Sequence, residues 1–152
     1  MRAVVQRVLS ASVEVDGQVL GSIGPGLVAF VGAAEGDGDE DMAYVIGKIV
    51  GLRVFPDDIG KMTRALGDIG DGGGELLAIS QFTVFGDVRR GLRPSFDGAM
   101  PHEAAEPLWH RFLAEVRARG VRVQTGRFRA DMKVRVENDG PVTILVDSRK
   151  AF

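Results

Sequence analysis

Valine recurs from Ala3 to Val8, and from Ser12 to Val15 polar and apolar residues alternate with the two-residue period of a half-buried strand. Asp16-Gly17 follows, a pair suited to the positive φ angles of a tight hairpin, so Gln18 to Ile23 is the expected return strand. Gly24-Pro25-Gly26 breaks the chain, and the continuous apolar run Leu27 to Val31 fits a strand buried on both faces. The period then changes. Met42, Val45, Ile46, Ile49 and Val50 recur at helical spacing, which predicts an amphipathic helix from Asp39 to about Leu52. Leu108, Trp109, Phe112, Leu113 and Val116 predict a second, from about His102 to Arg119, stopped by Gly120. Pro107 fits that helix only near its first turn.

The remaining apolar segments read as strands: Arg53 to Phe55, Leu76 to Phe85, Val121 to Gln124, Met132 to Val136 and Val142 to Val146. Gly60 to Glu75 is a glycine-rich irregular connection. Asn138-Asp139-Gly140-Pro141 interrupts the last two strands, and because proline cannot donate to a ladder it must mark a turn, a bulge or an edge. Two helices and about eight strands predict an α+β fold, a strongly curved and mainly antiparallel sheet or barrel with both helices packed against it. No linker or repeat divides the chain, so residues 1–152 are expected to form one domain.

With 152 residues and no cysteine, disulfides and thiolate chemistry are excluded, and the chain is long enough to fold around its own core. No segment reaches the length of a membrane span, which points to a cytoplasmic protein with no membrane partner. The net charge of −2 does not advertise a nucleic-acid partner, but the arginines are concentrated in the second half, with Arg89, Arg90 and Arg93 in one loop. That loop reads equally as a solvated surface or as a set of phosphate contacts. Asp37 to Asp41 lacks the glycine and glutamate positions of a calcium loop, and capping of the following helix accounts for it better. Gly70-Asp71-Gly72-Gly73-Gly74 precedes a strand and lacks the phosphate-loop lysine. No metal or organic cofactor is implied.

The segment Ser80-Gln81-Phe82-Thr83-Val84-Phe85 places two hydroxyls and an amide where a buried strand ordinarily carries hydrocarbon. In a regular strand Ser80 and Phe82 would face one side and Gln81 and Thr83 the other, so the hydroxyls would not meet on one substrate atom. A nucleophilic hydroxyl also needs a base, and neither His102 nor His110 has an evident orienting carboxylate. Thr83 is therefore read as a strand residue rather than a nucleophile. Gln81 needs partners for its amide, from a neighbouring loop or from a ligand.

Ser80-Gln81-Phe82-Thr83, Arg90-Gly91, Arg93-Pro94-Ser95-Phe96 and Asn138-Asp139-Gly140-Pro141-Val142-Thr143, taken in order, resemble the D-aminoacyl-tRNA deacylase family. Gln6-Arg7-Val8, Leu52-Arg53-Val54-Phe55, Gly60-Lys61-Met62, and Gly126 with Phe128, Ala130 and Met132 extend the resemblance over the whole chain. Arg129 departs from it, standing where the family more often has glycine. The resemblance implies hydrolysis of the ester joining a D-amino acid to the terminal ribose of tRNA, in a homodimer with its pocket at the subunit interface. It also implies that the Gly140-Pro141 peptide is cis, whereas the general preference of X-Pro bonds, of which only about 5–6% are cis, would make it trans. In this reading Gly140 and Pro141 enter the partner's pocket as a chiral gate, with Arg7 supporting them. Ser80, Gln81, Phe82 and Thr83 form the catalytic pocket, with backbone N–H groups near Phe82 and Thr83 facing the oxyanion and the RNA's own 2′-OH assisting. Phe128, Ala130, Met132 and Asn138 are the substrate-binding candidates, and Arg89, Arg90 and Arg93 the tRNA-contact candidates. Mischarged glycyl-tRNA is an expected further substrate. The alternatives are a related tRNA deacylase acting on mischarged L-alanine, which has Pro-Gln-Ala-Thr at the Ser80 motif, and a non-catalytic RNA-binding barrel. DNA is not an expected partner.

Overall fold

The computed structural model describes residues 1–152. Strand β1 (Arg2–Val15) is the spine of the sheet. Along one side it pairs antiparallel with β2 (Gln18–Ile23) and then with β3 (Gly26–Gly32), and along the other with β8 (Lys133–Asp147). Beyond β3 the ladder turns parallel: β3 pairs with β6 (Glu75–Ser80), and β6 with β7 (Arg122–Thr125). The sheet is therefore mixed and nearly closed on itself, where the sequence pattern predicts a mainly antiparallel one. The parallel half exists because each crossover contains a helix. Helix α1 (Asp39–Gly51) lies between β3 and β6, and α2 (His102–Ala118) between β6 and β7. Strand β4 (Phe55–Pro56), at the end of the expected Arg53 to Phe55 strand, pairs antiparallel with β5 (Met62–Arg64), which lies inside the stretch expected to be irregular.

Alternation along the strands produces two cores. Ala3, Val5, Leu27, Ala29, Leu76 and Ala78 face the helices, meeting Ile46, Ile49 and Phe112, all buried. Each such large side chain contributes about 1.5–3 kcal/mol by leaving water. Val8, Ala11, Val13, Val28, Leu77 and Ile79 fill the opposite, concave face. Both helices follow their predicted stripes. Asp41 caps α1 by accepting the Gly38 N–H at 3.0 Å, and Asp39 and Glu40 sit beside it in the first turn, where the helix dipole favours them.

Three local expectations are corrected. Pro107 lies beyond the first turn of α2, yet the helix continues, because the buried stripe Leu108, Trp109, Phe112, Leu113 and Val116 outweighs the single backbone bond that proline forfeits. Asn138 to Pro141 does not divide two strands: β8 is continuous, and the segment is accommodated by register shifts against β1 between Gln6 and Ser10. The strand expected from Leu76 to Phe85 ends at Ser80, and Phe82–Phe85 is a 3-10 turn. Val31 and Ser80 are the last parallel pair, and the Gln81 N–H donates to the Val31 carbonyl at 2.8 Å. Gly32 then leaves room for the chain to fold across the end of β3, so tertiary packing overrides the β propensity of Phe82-Thr83-Val84-Phe85.

Candidate active site

Parallel strands deliver their carboxyl ends to one edge of the sheet, a common position for ligand crevices in sheets with helical crossovers. Here β3 ends in Gly32-Ala33, β6 in Ser80-Gln81 and β7 in the turn carrying Phe128, Arg129 and Ala130. All of them line a cavity of about 720 Å³. Its walls are mainly apolar, including Phe30, Ile79, Phe96, Trp109 and Met132. The polar side chains reaching it are Ser80, Gln81, Thr83, His102 and Arg129, with no carboxylate among the lining residues.

The 3-10 turn brings Ser80 and Thr83 to the same cavity, so the separation of the two hydroxyls expected from strand alternation does not hold. The case against a nucleophile rests on the hydrogen bonds instead. Gln81 Nε2 donates to Thr83 Oγ1 at 2.8 Å, which gives the amide its partner and presents the hydroxyl with a donor rather than a base. His102, half exposed, does have a carboxylate beside it, contrary to the sequence expectation, with its Nε2 2.8 Å from Glu103 Oε1 at the start of α2, but it makes no hydrogen bond to Ser80 or Thr83. His110 is exposed on the outside of that helix. Phe82 is 57% exposed and packs edge-on against Phe96, ring centroids 5.1 Å apart. The first N–H groups of any helical turn lack intrahelical acceptors, which leaves those of Phe82 and Thr83 without an acceptor inside the turn.

Two residues that hold this turn were not singled out by the sequence. Arg2 Nη1 donates to the Val84 carbonyl at 3.0 Å, with its guanidinium 4.6 Å from the Phe85 ring centroid, while Nε and Nη2 bond Asp147. At Gly32, a Cβ would stand 2.6 Å from Val84 Cγ2 and 2.7 Å from the Gln81 carbonyl oxygen. Glycine at the end of a buried strand was the available signal for that close approach.

Phe128, Ala130 and Met132 line the cavity, but Asn138, Gly140 and Pro141 do not. Asn138 Nδ2 donates to the carbonyls of Arg7 (2.9 Å) and Val142 (3.0 Å), bracing the irregular part of β8. Arg7 donates to the Val54 carbonyl and stands with Nε 2.9 Å from Asp139 Oδ2, an ion pair whose N–H is not aimed at the carboxylate. Gly140 has φ +115°, the Gly140-Pro141 peptide is cis, and both residues are exposed. This braced corner lies outside the cavity that Ser80 and Thr83 line.

The Arg89 to Arg93 loop is pinned by the Asp87–Ser95 bridge and lies outside the cavity lining. Arg89, through its guanidinium and its own N–H, holds the Asp87 carboxyl down to about 2. Asp87 thus remains ionised across ordinary pH and matches the Arg89 charge, whereas Arg90 and Arg93 have no carboxylate partner. The chain has no cluster of three metal-ligating side chains and no helix long and apolar enough to cross a membrane.

This architecture is shared with a solved structure described as a probable eukaryotic D-amino acid tRNA deacylase. It superposes at a TM-score of 0.81 over 96% of this chain and 98% of that one, with 18% identity, a likeness of fold alone. Sequence carries the assignment further: residues 4–147 match the profile of D-Tyr-tRNA(Tyr) deacylase, and the chain belongs to that family of ester hydrolases. A D-aminoacyl-tRNA deacylase of Sorangium cellulosum is 68% identical over the full length of both chains. One of Symbiobacterium thermophilum is 53% identical over all of this chain and 99% of the relative. A solved structure named c-Myc DNA Unwinding Element Binding Protein is 39% identical, with a TM-score of 0.89 over 97% of this chain and 98% of that one.

Proposed function

We propose that this chain hydrolyses the ester bond of D-aminoacyl-tRNA, as a cytoplasmic homodimer that removes D-amino acids, and mischarged glycine, from tRNA. The observation that carries the mechanism is a cavity holding Ser80, Gln81 and Thr83 with no base paired to either hydroxyl. Water adds to the ester carbonyl, and the Phe82 and Thr83 N–H groups stabilise the oxyanion. The ester C–O bond then breaks toward the ribose oxygen, which takes up a proton with help from the neighbouring 2′-OH. Free tRNA and the amino acid leave.

Chirality follows from exclusion. A rigid backbone corner beside the substrate Cα admits hydrogen but not a side chain, so D-substrates and glycine enter and L-substrates clash. Gly140 and Pro141 of a second copy are suited to supply that corner. Phe30, Val4 and Leu145 are successive cross-strand partners on one face of β3, β1 and β8. Phe30 lines the cavity and Leu145 is 57% exposed, so an apolar row runs from the cavity wall to the outer strand that carries Pro141. A second copy seated on this row would bury it. Ser80 and Gln81 would hold the adenosine end, with Arg90 and Arg93 toward the tRNA backbone.

Purified protein offered D-tyrosyl-tRNA and L-tyrosyl-tRNA tests this function. Amino acid release from the D-ester alone is expected. No release from the D-ester overturns the reading, and equal release from both leaves a hydrolase without a chiral gate. Thr83→Ala is expected to keep D-ester hydrolysis within about ten-fold of wild type, the cost of removing one partner of the Gln81 amide. A folded Thr83→Ala protein with no single-turnover hydrolysis would restore the nucleophile.

A further inference from the structure

We propose that Arg129 is a phosphate-binding residue at the cavity mouth, holding the first phosphodiester on the 5′ side of the esterified ribose. The inference rests on the aminoacyl-tRNA reading and adds a substrate contact to it. Ala130 N–H donates to the Arg127 carbonyl across a tight turn, and Arg129 occupies its third position with φ +60°. Phe128 before it has negative φ, so the turn has the type II pattern, in which that position favours glycine. Arginine is disfavoured there by its Cβ, and a strained non-glycine residue beside a site calls for a functional account.

The charge environment supplies one. Arg127 pairs with Asp16 at 3.2 Å and Arg135 with Glu14 at 2.7 Å, while Arg129, between them in sequence, has no carboxylate partner and no side-chain hydrogen bond. Arg129 is exposed and still lines the cavity, which places it on the rim. The cavity lining contains no carboxylate to compete for it. An RNA 3′ end inserted with its terminal ribose inside leads its next phosphate out across the cavity mouth, and Arg129 is the only arginine or lysine in the lining. A guanidinium that is free, cationic and bidentate is suited to receive it.

The test compares the wild type with Arg129→Gly and Arg129→Lys on two substrates: D-tyrosyl-tRNA, and D-tyrosyl-adenosine, which has the ester but no phosphate. For the tRNA, Arg129→Gly should raise KM about five-fold with kcat little changed, the signature of a binding interaction rather than a catalytic one. The slope of log kcat/KM against log salt should become shallower by about 0.7, the change expected when one phosphate of a single strand is no longer neutralised. Hydrolysis of D-tyrosyl-adenosine should be unchanged, Arg129→Lys should recover the salt slope, and Arg129→Gly should melt no lower than wild type, since glycine accepts the turn geometry. An unchanged KM and salt slope on tRNA would overturn the proposal, as would an equal loss on the phosphate-free ester. Wild-type protein inactive on both esters would overturn the aminoacyl-tRNA reading beneath it.

Discussion

Alanine in place of Gly140 is expected to lower kcat/KM for D-aminoacyl-tRNA by about 100-fold, the scale on which ångström displacements of positioning groups are felt, and to narrow the preference for D- over L-substrate. At φ +115° the backbone is outside the range that L side chains adopt comfortably. An added Cβ would also meet Val142 Cγ2 at 2.9 Å, Arg7 Nη2 at 3.0 Å and the Val142 nitrogen at 3.2 Å. Either the corner moves, or Arg7 withdraws from Val54 and Asp139. The corner is exposed, and the β1–β8 ladder continues on both sides of it, so the cost to stability should stay near ~1–3 kcal/mol. Steady-state kinetics on both enantiomers, with a melting curve, check this. Wild-type rates and wild-type selectivity would show that the corner has no part in the reaction.

Gly32→Ala is expected to reduce kcat by about 100-fold or more, from the opposite side of the proposed composite pocket. Its Cβ would overlap Val84 Cγ2 at 2.6 Å and, less avoidably, the Gln81 backbone oxygen at 2.7 Å. The 3-10 turn must then lift off the end of β3, taking the Phe82 and Thr83 N–H groups with it and stretching the Arg2 bond to Val84. Gly47→Ala is the matched control: on the exposed face of α1 the nearest atom to an added Cβ is Arg119 Nη1 at 3.9 Å. That substitution should gain about 0.5–1 kcal/mol from helix propensity and leave the kinetics alone. Equal kcat values for Gly32→Ala and wild type would remove the turn from the mechanism.

Elements whose apolar period is long and regular were legible in the sequence. The stripes of α1 and α2 and the doubly buried Leu27 to Val31 follow from local pattern, because hydrophobic periodicity alone decides which face is buried. The end of β6 was not legible. Phe82-Thr83-Val84-Phe85 has strand composition, and only the space over Gly32, distant in sequence, folds it into a turn. The parallel pairing of β3, β6 and β7 was equally hidden, since a strand buried on both faces reads the same in either orientation. Among the candidate site residues, Phe128, Ala130 and Met132 came from the ordered motif and line the cavity. Asn138 and Arg7 came from the same motif but brace the Gly140-Pro141 corner outside it. Arg2 gave no signal at all: an arginine at the start of a strand reads as a surface charge, and its bonds to Val84 and Asp147 exist only once residues more than eighty positions apart meet.

In the proposed dimer one subunit supplies the turn and the other the corner. Co-expressing Gly32→Ala and Gly140→Ala chains with different tags, isolating the mixed dimer and measuring D-tyrosyl-tRNA hydrolysis tests this directly. If the site is shared across a two-fold axis, one of the two pockets combines an intact turn with an intact corner, and about half the wild-type kcat/KM should return with its preference for the D-ester. A mixed dimer as inactive as its two parents, or a protein that is monomeric in solution while fully active, would contradict it.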